Sequence, residues 1–196
     1  LAKEDADING DSLVNVSAEE RKKALVDYAL PKNIKKMQAD MEKYKIFYDK
    51  WFFESELHKS GAVQAVVDLL TEKGLTYEKD GAVWYKNKEV LTQKLLKEGK
   101  SQKYIDNLEL KDDVLIRQNG NPTYFTADIA YHKNKFDRGF TTLIDVWGAD
   151  HHGHVMRMKG AMDAIGYDGD KLNVVLMQLV KLVKDGELVR MSKRTG

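Results

Sequence analysis

The run Asp150-His151-His152-Gly153-His154 crowds a carboxylate and three imidazoles into five residues. Such a set can do two kinds of chemistry. Carboxylate and imidazole together suit manganese or zinc, as in metal-dependent phosphoesterases, but those sites need more acidic and histidine ligands from other strands. Upstream, only Asp128 and His132 are obvious candidates, and neither carries recognisable ligand spacing. The same residues can instead meet a nucleotide. Gly148 would let the backbone approach a flat base, Asp150 could accept from ribose hydroxyls, and a neutral imidazole can donate one hydrogen bond and accept another. Further on, Arg190-Met191-Ser192-Lys193-Arg194 sets three cations within five residues. On a tight loop they could clamp a polyphosphate and stabilise charge that develops in a transition state. The plainer readings are a helix-capping Asp150 with solvent-facing histidines, and a solvated basic tail.

These residues need elements to hold them. The apolar run Leu143 to Trp147 has the length and branched character of a buried strand. Gly148-Ala149-Asp150 turns the chain into a helix that carries His151, His152 and His154 on its first turn. A second apolar run comes next, then a hairpin turning at Asp185-Gly186, then the basic loop. Strand, turn, helix N-terminus, strand and basic loop is a common construction for a nucleotide site. The usual phosphate cradles are missing, because neither G-x-G-x-x-G nor G-x-x-x-x-G-K-[ST] occurs.

Upstream, Ser17 and Glu20 form a capping-box signature, and Ala24, Leu25, Tyr28 and Ala29 should line one helical face. Pro31 is expected to end that helix and start a second one bearing Ile34, Met37, Met41 and Tyr44, a stripe that reads as core. Residues 46–53 are aromatic-dense and strand-like, with packing favoured over base stacking. Val63, Val66, Val67 and Leu70 predict a short helix closed by Gly74. Asp80-Gly81 predicts a hairpin. Leu91, Leu95 and Leu96 predict a helix ending near Gly99, whose lysines (Lys94, Lys97, and then Lys100 and Lys103) read as a solvated face rather than a phosphate contact. His58 reads as a surface or packing histidine. Val114 to Ile116 suggests a strand, and Thr126 could cap a helix containing Asp128. If that helix begins near Tyr124, then Tyr124 and Asp128 lie four apart and share a face. The expected organisation is a helical pair (1–45), an α+β insertion (46–117) and an α/β nucleotide-type half-domain (118–196).

Composition narrows the function. A net charge of +1 over 196 residues argues against a surface built wholly for nucleic acid, so any such contact must be local. There is no cysteine, hence no disulfide and no thiolate metal site. No apolar run approaches the roughly 20 residues that span a bilayer. The polar N-terminus is unlike a targeting peptide. A chain that opens on Leu1 and stops at Gly196 inside a loop-like run is expected to be a piece of a longer protein.

The segments GADHHGH and RMSKRTG, with TYFTADIAYH upstream, resemble the second half of the catalytic domain of class I aminoacyl-tRNA synthetases, and specifically of the bacterial arginyl-tRNA synthetases. WFFESELHKSG, YEKDGAVWY and VLIRQNGNPTYFTADIAYHKNKF extend the resemblance over most of the chain from about residue 46. RMSKRTG matches the family's mobile lysine loop, with Arg190 and Arg194 at positions usually held by lysine and serine, and Lys193 at that of the transition-state lysine. The resemblance implies an α/β fold, the second half of a Rossmann-like nucleotide domain with a connective insertion. It implies that Tyr124, Asp128 and His151 contact arginine, that Gly148, Asp150, His154, Met191 and Ser192 line the ATP pocket, and that Lys193 and Arg190 act in catalysis. It further implies ATP with Mg2+ as substrate, no tightly bound cofactor or resident metal, arginine and tRNA as partners, a cytoplasmic location, no membrane, and a monomeric full-length protein.

The family's His-x-Gly-His signature belongs to the first half of the domain. HHGH at 151–154 has that spelling but lies about 40 residues before the MSKR loop, in the Gly-x-Asp turn, and so belongs to the second half. This chain holds no other such signature, and the piece alone is expected to be inactive. The run VLTQKLLKEGKSQKYIDNLELK is longer than the family's loop, so its lysines receive no role. Two alternatives remain beside the ligase reading: a non-catalytic module binding arginine or nucleotide, and a metal phosphoesterase built on Asp150, His151 and His152.

Overall fold

The structure, a computed structural model, describes residues 3, 4, 7, 10–178 and 180–189. Its contacts divide the chain into two compact units, Leu1–Phe52 and Phe53–Gly196.

In the first unit, helix α1 (Ala18–Lys43) starts as the sequence predicts. The Glu20 amide donates to Ser17 Oγ at 3.2 Å, and the Ser17 amide donates to Glu20 Oε2 at 3.0 Å. The expected break at Pro31 does not occur, and the helical pair is one helix of 26 residues. Pro31 removes one donor, but Leu30 before it cannot cap a new helix, and the flanking residues favour continuation. No residue of α1 is fully buried: of the stripe expected as core, Met37 is exposed and Ile34 and Met41 are half-buried. Residues 46–53 also depart from expectation. They form no strand, and Phe47 and Tyr48 are exposed, with Tyr48 edge-on to Trp51 at 5.4 Å. Aromatic residues favour strands only where a neighbouring strand and a packed face are supplied.

The second unit begins with α2 (Glu54–Lys59), which carries an exposed His58, and α3 (Ala62–Glu72), whose Val63, Val66, Val67 and Leu70 are buried as expected. Gly74 follows α3 at positive φ. Strands β1 (Thr76–Lys79) and β2 (Ala82–Tyr85) pair antiparallel around Asp80-Gly81, both with positive φ, as a tight two-residue hairpin turn requires. Helix α4 (Asn87–Lys97) buries Leu91 and Leu95, whereas Leu96 is exposed, one residue beyond the stripe that faces the core. Lys94 is bound by Asp163 at 2.6 Å, which removes it from any phosphate-facing role. A short α5 (Gln102–Asp106) leads to β3 (Asp113–Ile116), the third strand of the β1-β2-β3 sheet.

In helix α6 (Tyr124–Asp137) the N-cap position falls on Thr123, not Thr126, and the Thr123 hydroxyl donates to the Val114 carbonyl and makes no capping bond. Thr126 is buried one turn in and donates to the Leu115 carbonyl at 2.8 Å, tying α6 to β3. Strand β4 (Leu143–Gly148) runs parallel to β5 (Leu172–Met177), with α7 (His152–Ile165) between them as the crossover. Residues read in the sequence as insertion and as half-domain share one core: α6 packs on α2, α3, β3 and α7, and α7 packs on α4. At the last contact a Cβ on Gly160 would lie 2.6 Å from Leu91 Cδ2, so glycine sets how closely the two helices approach. Val66, Leu70, Leu91, Leu115, Ile129, Met158, Met162 and Leu172 are fully buried in this unit. Each such side chain contributes about 1.5–3 kcal/mol of transfer free energy.

The run Leu143 to Trp147 is a strand, but not one buried on both faces. Leu143 and Asp145 turn inward, while Ile144 and Val146 are 69% and 66% exposed. Ile144 and Val146 thus mark an exposed face of the strand, opposite the face that carries Leu143 and Asp145. The hairpin at Asp185-Gly186 is formed by β6 (Leu182–Lys184) and β7 (Glu187–Val189).

Tyr85 is fully buried, and its hydroxyl has no hydrogen-bond partner among the described residues. Burial pushes its ionisation far above the usual tyrosine range, and Asp113 adds to the effect. A buried hydroxyl left unpaired costs about 1–3 kcal/mol. Tyr85→Phe is therefore expected to match or exceed the parent's stability, read as an unchanged or higher urea midpoint.

Candidate functional site

The site forms where β4 ends. A parallel strand that passes through a short turn into a helix presents main-chain groups and the helix N-terminus at its carboxyl edge, the customary ligand position in open α/β sheets. Here Ala149–His151 make a single 3-10 turn before α7 begins at His152. A Cβ on Gly148 would collide with Asp150 Oδ1, because the Asp150 carboxylate folds back over the strand end. His151 is exposed; its Nε2 lies 4.0 Å from Asp150 Oδ2, and its ring is 6.4 Å from that of Trp147.

Helix α6 supplies the opposite wall. Tyr124 is its first residue and is 79% exposed, and Asp128 lies one turn further along. The structure joins the two walls through Asp128 Oδ2 and His154 Nε2, 3.2 Å apart. His154 is packed between Phe125, with centroids at 5.6 Å, and Trp147, at 5.3 Å. Its ring is thereby held in place. The half-exposed Asp128 has one oxygen on a fixed partner, and an ionised carboxylate has about four lone-pair directions, so it keeps capacity for another donor pair. Arg157 underpins this wall, its guanidinium 4.9 Å from the Phe125 centroid and its Nε donating to Asp113 Oδ2 at 3.0 Å. Burial raises the Asp113 carboxyl above its usual range despite the opposing pull of Arg157.

Of the residues expected to form the site, the structure brings Asp128 and His154 into contact. It sets Gly148, Asp150 and His151 on the same strand–helix turn and leaves Tyr124 exposed at the start of α6. Arg190, Met191, Ser192 and Lys193 lie outside the described residues. Sequence reasoning missed a third layer. His132 and Asp145 are buried beneath Asp128, with His132 Nε2 and Asp145 Oδ2 2.5 Å apart, and Lys135 Nζ donates to Asp145 Oδ1 at 2.7 Å. Burial would raise Asp145, but the hydrogen bonds from His132 and Lys135 outweigh it and hold the carboxyl below its usual range. The signal was a charged residue at an inward position of an otherwise apolar strand.

No protein-family model matches the chain. Among curated proteins it is 55% identical over its whole length to an arginine–tRNA ligase from Caldanaerobacter subterraneus subsp. tengcongensis, and 52% identical over 96% of its length to one from Ruminiclostridium cellulolyticum. Along its whole length the sequence is similar to arginine–tRNA ligases. The chain spans about a third of the length of these ligases, 32% and 31% respectively. Among solved structures it is similar to a Campylobacter jejuni protein assigned as an arginyl-tRNA synthetase, with a TM-score of 0.75 and 35% identity over 97% of this chain and 37% of that one. The arginyl-tRNA synthetase of Thermus thermophilus has the same fold over 82% of this chain and 32% of its own, at a TM-score of 0.62 and 18% identity. The fold is thus mixed α/β and like that of the arginyl-tRNA synthetases. Neither alternative reading gains support. The relatives carry the name of a ligase, and among the described residues no three His, Asp or Glu side chains converge on a point where they could hold a metal. Among the same residues, no helix is long and apolar enough to cross a membrane.

Proposed function

We propose that this chain is the arginine-recognising part of an ATP-dependent ligase that activates arginine as its adenylate and transfers it to tRNA. The observation that carries the reading is the Asp128–His154 pair at the carboxyl edge of β4. A guanidinium is a planar cation with parallel N–H donors, and a carboxylate of fixed orientation is its natural acceptor. His154 supplies the orientation. Tyr124, one turn before Asp128 on α6, and His151, across the turn, would flank the ligand.

ATP would lie against Gly148, Asp150 and His154, with Met191 and Ser192 closing the pocket, and Mg2+ would accompany its phosphates. In activation the arginine carboxylate attacks the α-phosphate in line, and pyrophosphate leaves. Positioning lowers the entropic part of that barrier, and cations at the leaving group stabilise the charge it gains. Lys193 and Arg190 would provide those cations. In this reading residues 46–117 are the connective insertion and 118–196 the second half of a Rossmann-like domain. The whole protein would be a cytoplasmic monomer.

The test is arginine-dependent pyrophosphate exchange by the full-length protein, with citrulline as competitor substrate. Citrulline keeps the shape but replaces the cation with a neutral urea. A site built around hydrogen bonds rejects analogues that leave its groups unpaired by about 10,000-fold or more in kcat/KM. Exchange that needs no arginine, or that accepts citrulline within about tenfold, would sink the reading.

A further inference from the structure

We infer that His132, held by Asp145 and Lys135, is a positioning residue for Asp128, the carboxylate that would receive the arginine guanidinium, an inference that rests on the reading of Asp128 above. His132 lies one turn beyond Asp128 on α6 and is only 3% exposed. Its Nδ1 sits 2.7 Å from the main-chain oxygen of Asp128. That oxygen can only accept, so Nδ1 donates. Its Nε2 meets the Asp145 carboxylate of β4 at 2.5 Å, and Asp145 is in turn bound by Lys135 from the next turn of α6. The imidazole therefore bridges the helical turn that carries Asp128 to the strand that ends at Gly148.

Trp147 completes the arrangement. It comes two residues after Asp145 and so projects from the same side of β4. Its ring stands edge-on to His132 at 6.2 Å and lies 5.3 Å from His154. Asp128 is thus fixed twice: its backbone through His132 to Asp145, and its carboxylate through His154, which rests on Trp147. Both routes end on one stretch of β4. Stability alone gives little reason for such a network, since apolar residues of similar volume often serve as well as a buried ion pair or better. What the network adds is a fixed distance between the guanidinium acceptor on α6 and the strand end where the reacting carboxylate and the α-phosphate must meet.

The prediction separates recognition of arginine from everything else the enzyme does. In the full-length protein, His132→Ala is expected to raise the arginine KM in pyrophosphate exchange by roughly tenfold, because a small misplacement of a binding group is costly. The ATP KM should stay within about twofold. His132→Gln can still donate to Asp145 and should recover part of the loss. His132→Asn reaches only the main-chain oxygen and should behave like alanine. If His132→Ala does not fold, His132→Gln and Asp145→Asn carry the comparison, with the arginine KM raised and the ATP KM unchanged in both. Arginine and ATP KM values that rise together, or an arginine KM within twofold of the parent in folded variants, overturn the inference. Absence of arginine-dependent exchange in the parent protein would instead defeat the functional reading beneath it.

Discussion

Asp128→Ala in the full-length protein is expected to lower kcat/KM for arginine in pyrophosphate exchange by several hundred-fold, while the ATP KM moves less than about threefold. Hydrogen bonds to charged groups are worth about 1.5–3 kcal/mol each, so losing a pair costs roughly 3–4 kcal/mol, even where the ligand recovers some water. The decisive companion is Asp128→Asn. Asparagine keeps the volume and can still accept from His154, but it turns one acceptor into a donor aimed at a ligand that only donates. It should therefore be nearly as damaging as alanine, whereas a shape-filling role would leave it close to the parent. Asp128 is half-exposed, and its side-chain partner among the described residues is His154. Both variants should thus melt within a few degrees of the parent. An asparagine variant that retains activity within tenfold would remove Asp128 from guanidinium recognition.

Local signals with a stereochemical cause were legible in the sequence. The capping box at Ser17, the hairpin turns at Asp80-Gly81 and Asp185-Gly186, and the apolar stripe of α3 depend on neighbouring residues alone, and each is present in the fold. Signals that depend on a partner were not legible. Pro31 reads as a break, yet a new helix there would need a capping side chain that Leu30 lacks. Residues 46–53 read as a strand because aromatics imply a pleated surface that nothing beside them supplies. Leu143 to Trp147 reads as a buried strand, yet its alternation with Asp145 already marked one face as different. The candidate site divides in the same way. Asp128 and His154 are 26 residues apart, and the chemistry of each was readable. That they touch each other comes only from the packing of α6 on α7. In the sequence His132 offers nothing beyond a possible metal ligand, because a histidine that bonds its own helix and a distant strand leaves no trace in spacing.

Lys193→Ala should produce the opposite kinetic pattern. Adenylate formation is expected to fall about 100- to 1,000-fold, the usual loss when one group that stabilises transition-state charge is removed, while arginine affinity stays near that of the parent. The separation arises from when each interaction is made. In the proposed reading Asp128 would bind a guanidinium that carries the same charge before and during reaction, so its loss would weaken ground state and transition state together. Lys193 would meet charge that accumulates on pyrophosphate only as the bond to the α-phosphate breaks, so its loss should appear in kcat. In the sequence Arg190 directly succeeds Val189, the last residue of β7, so a tight hairpin leads straight into the run of cations that ends at Arg194. Arg190 would share the pyrophosphate charge, and for that reason the fall should stop short of complete inactivation. Lys193→Arg tests geometry apart from charge: the planar guanidinium keeps the cation but not the compact ammonium, and it should restore only part of the rate. A fall of less than fivefold in Lys193→Ala, or a matching rise in the arginine Kd, would show that Lys193 does not act on the leaving group.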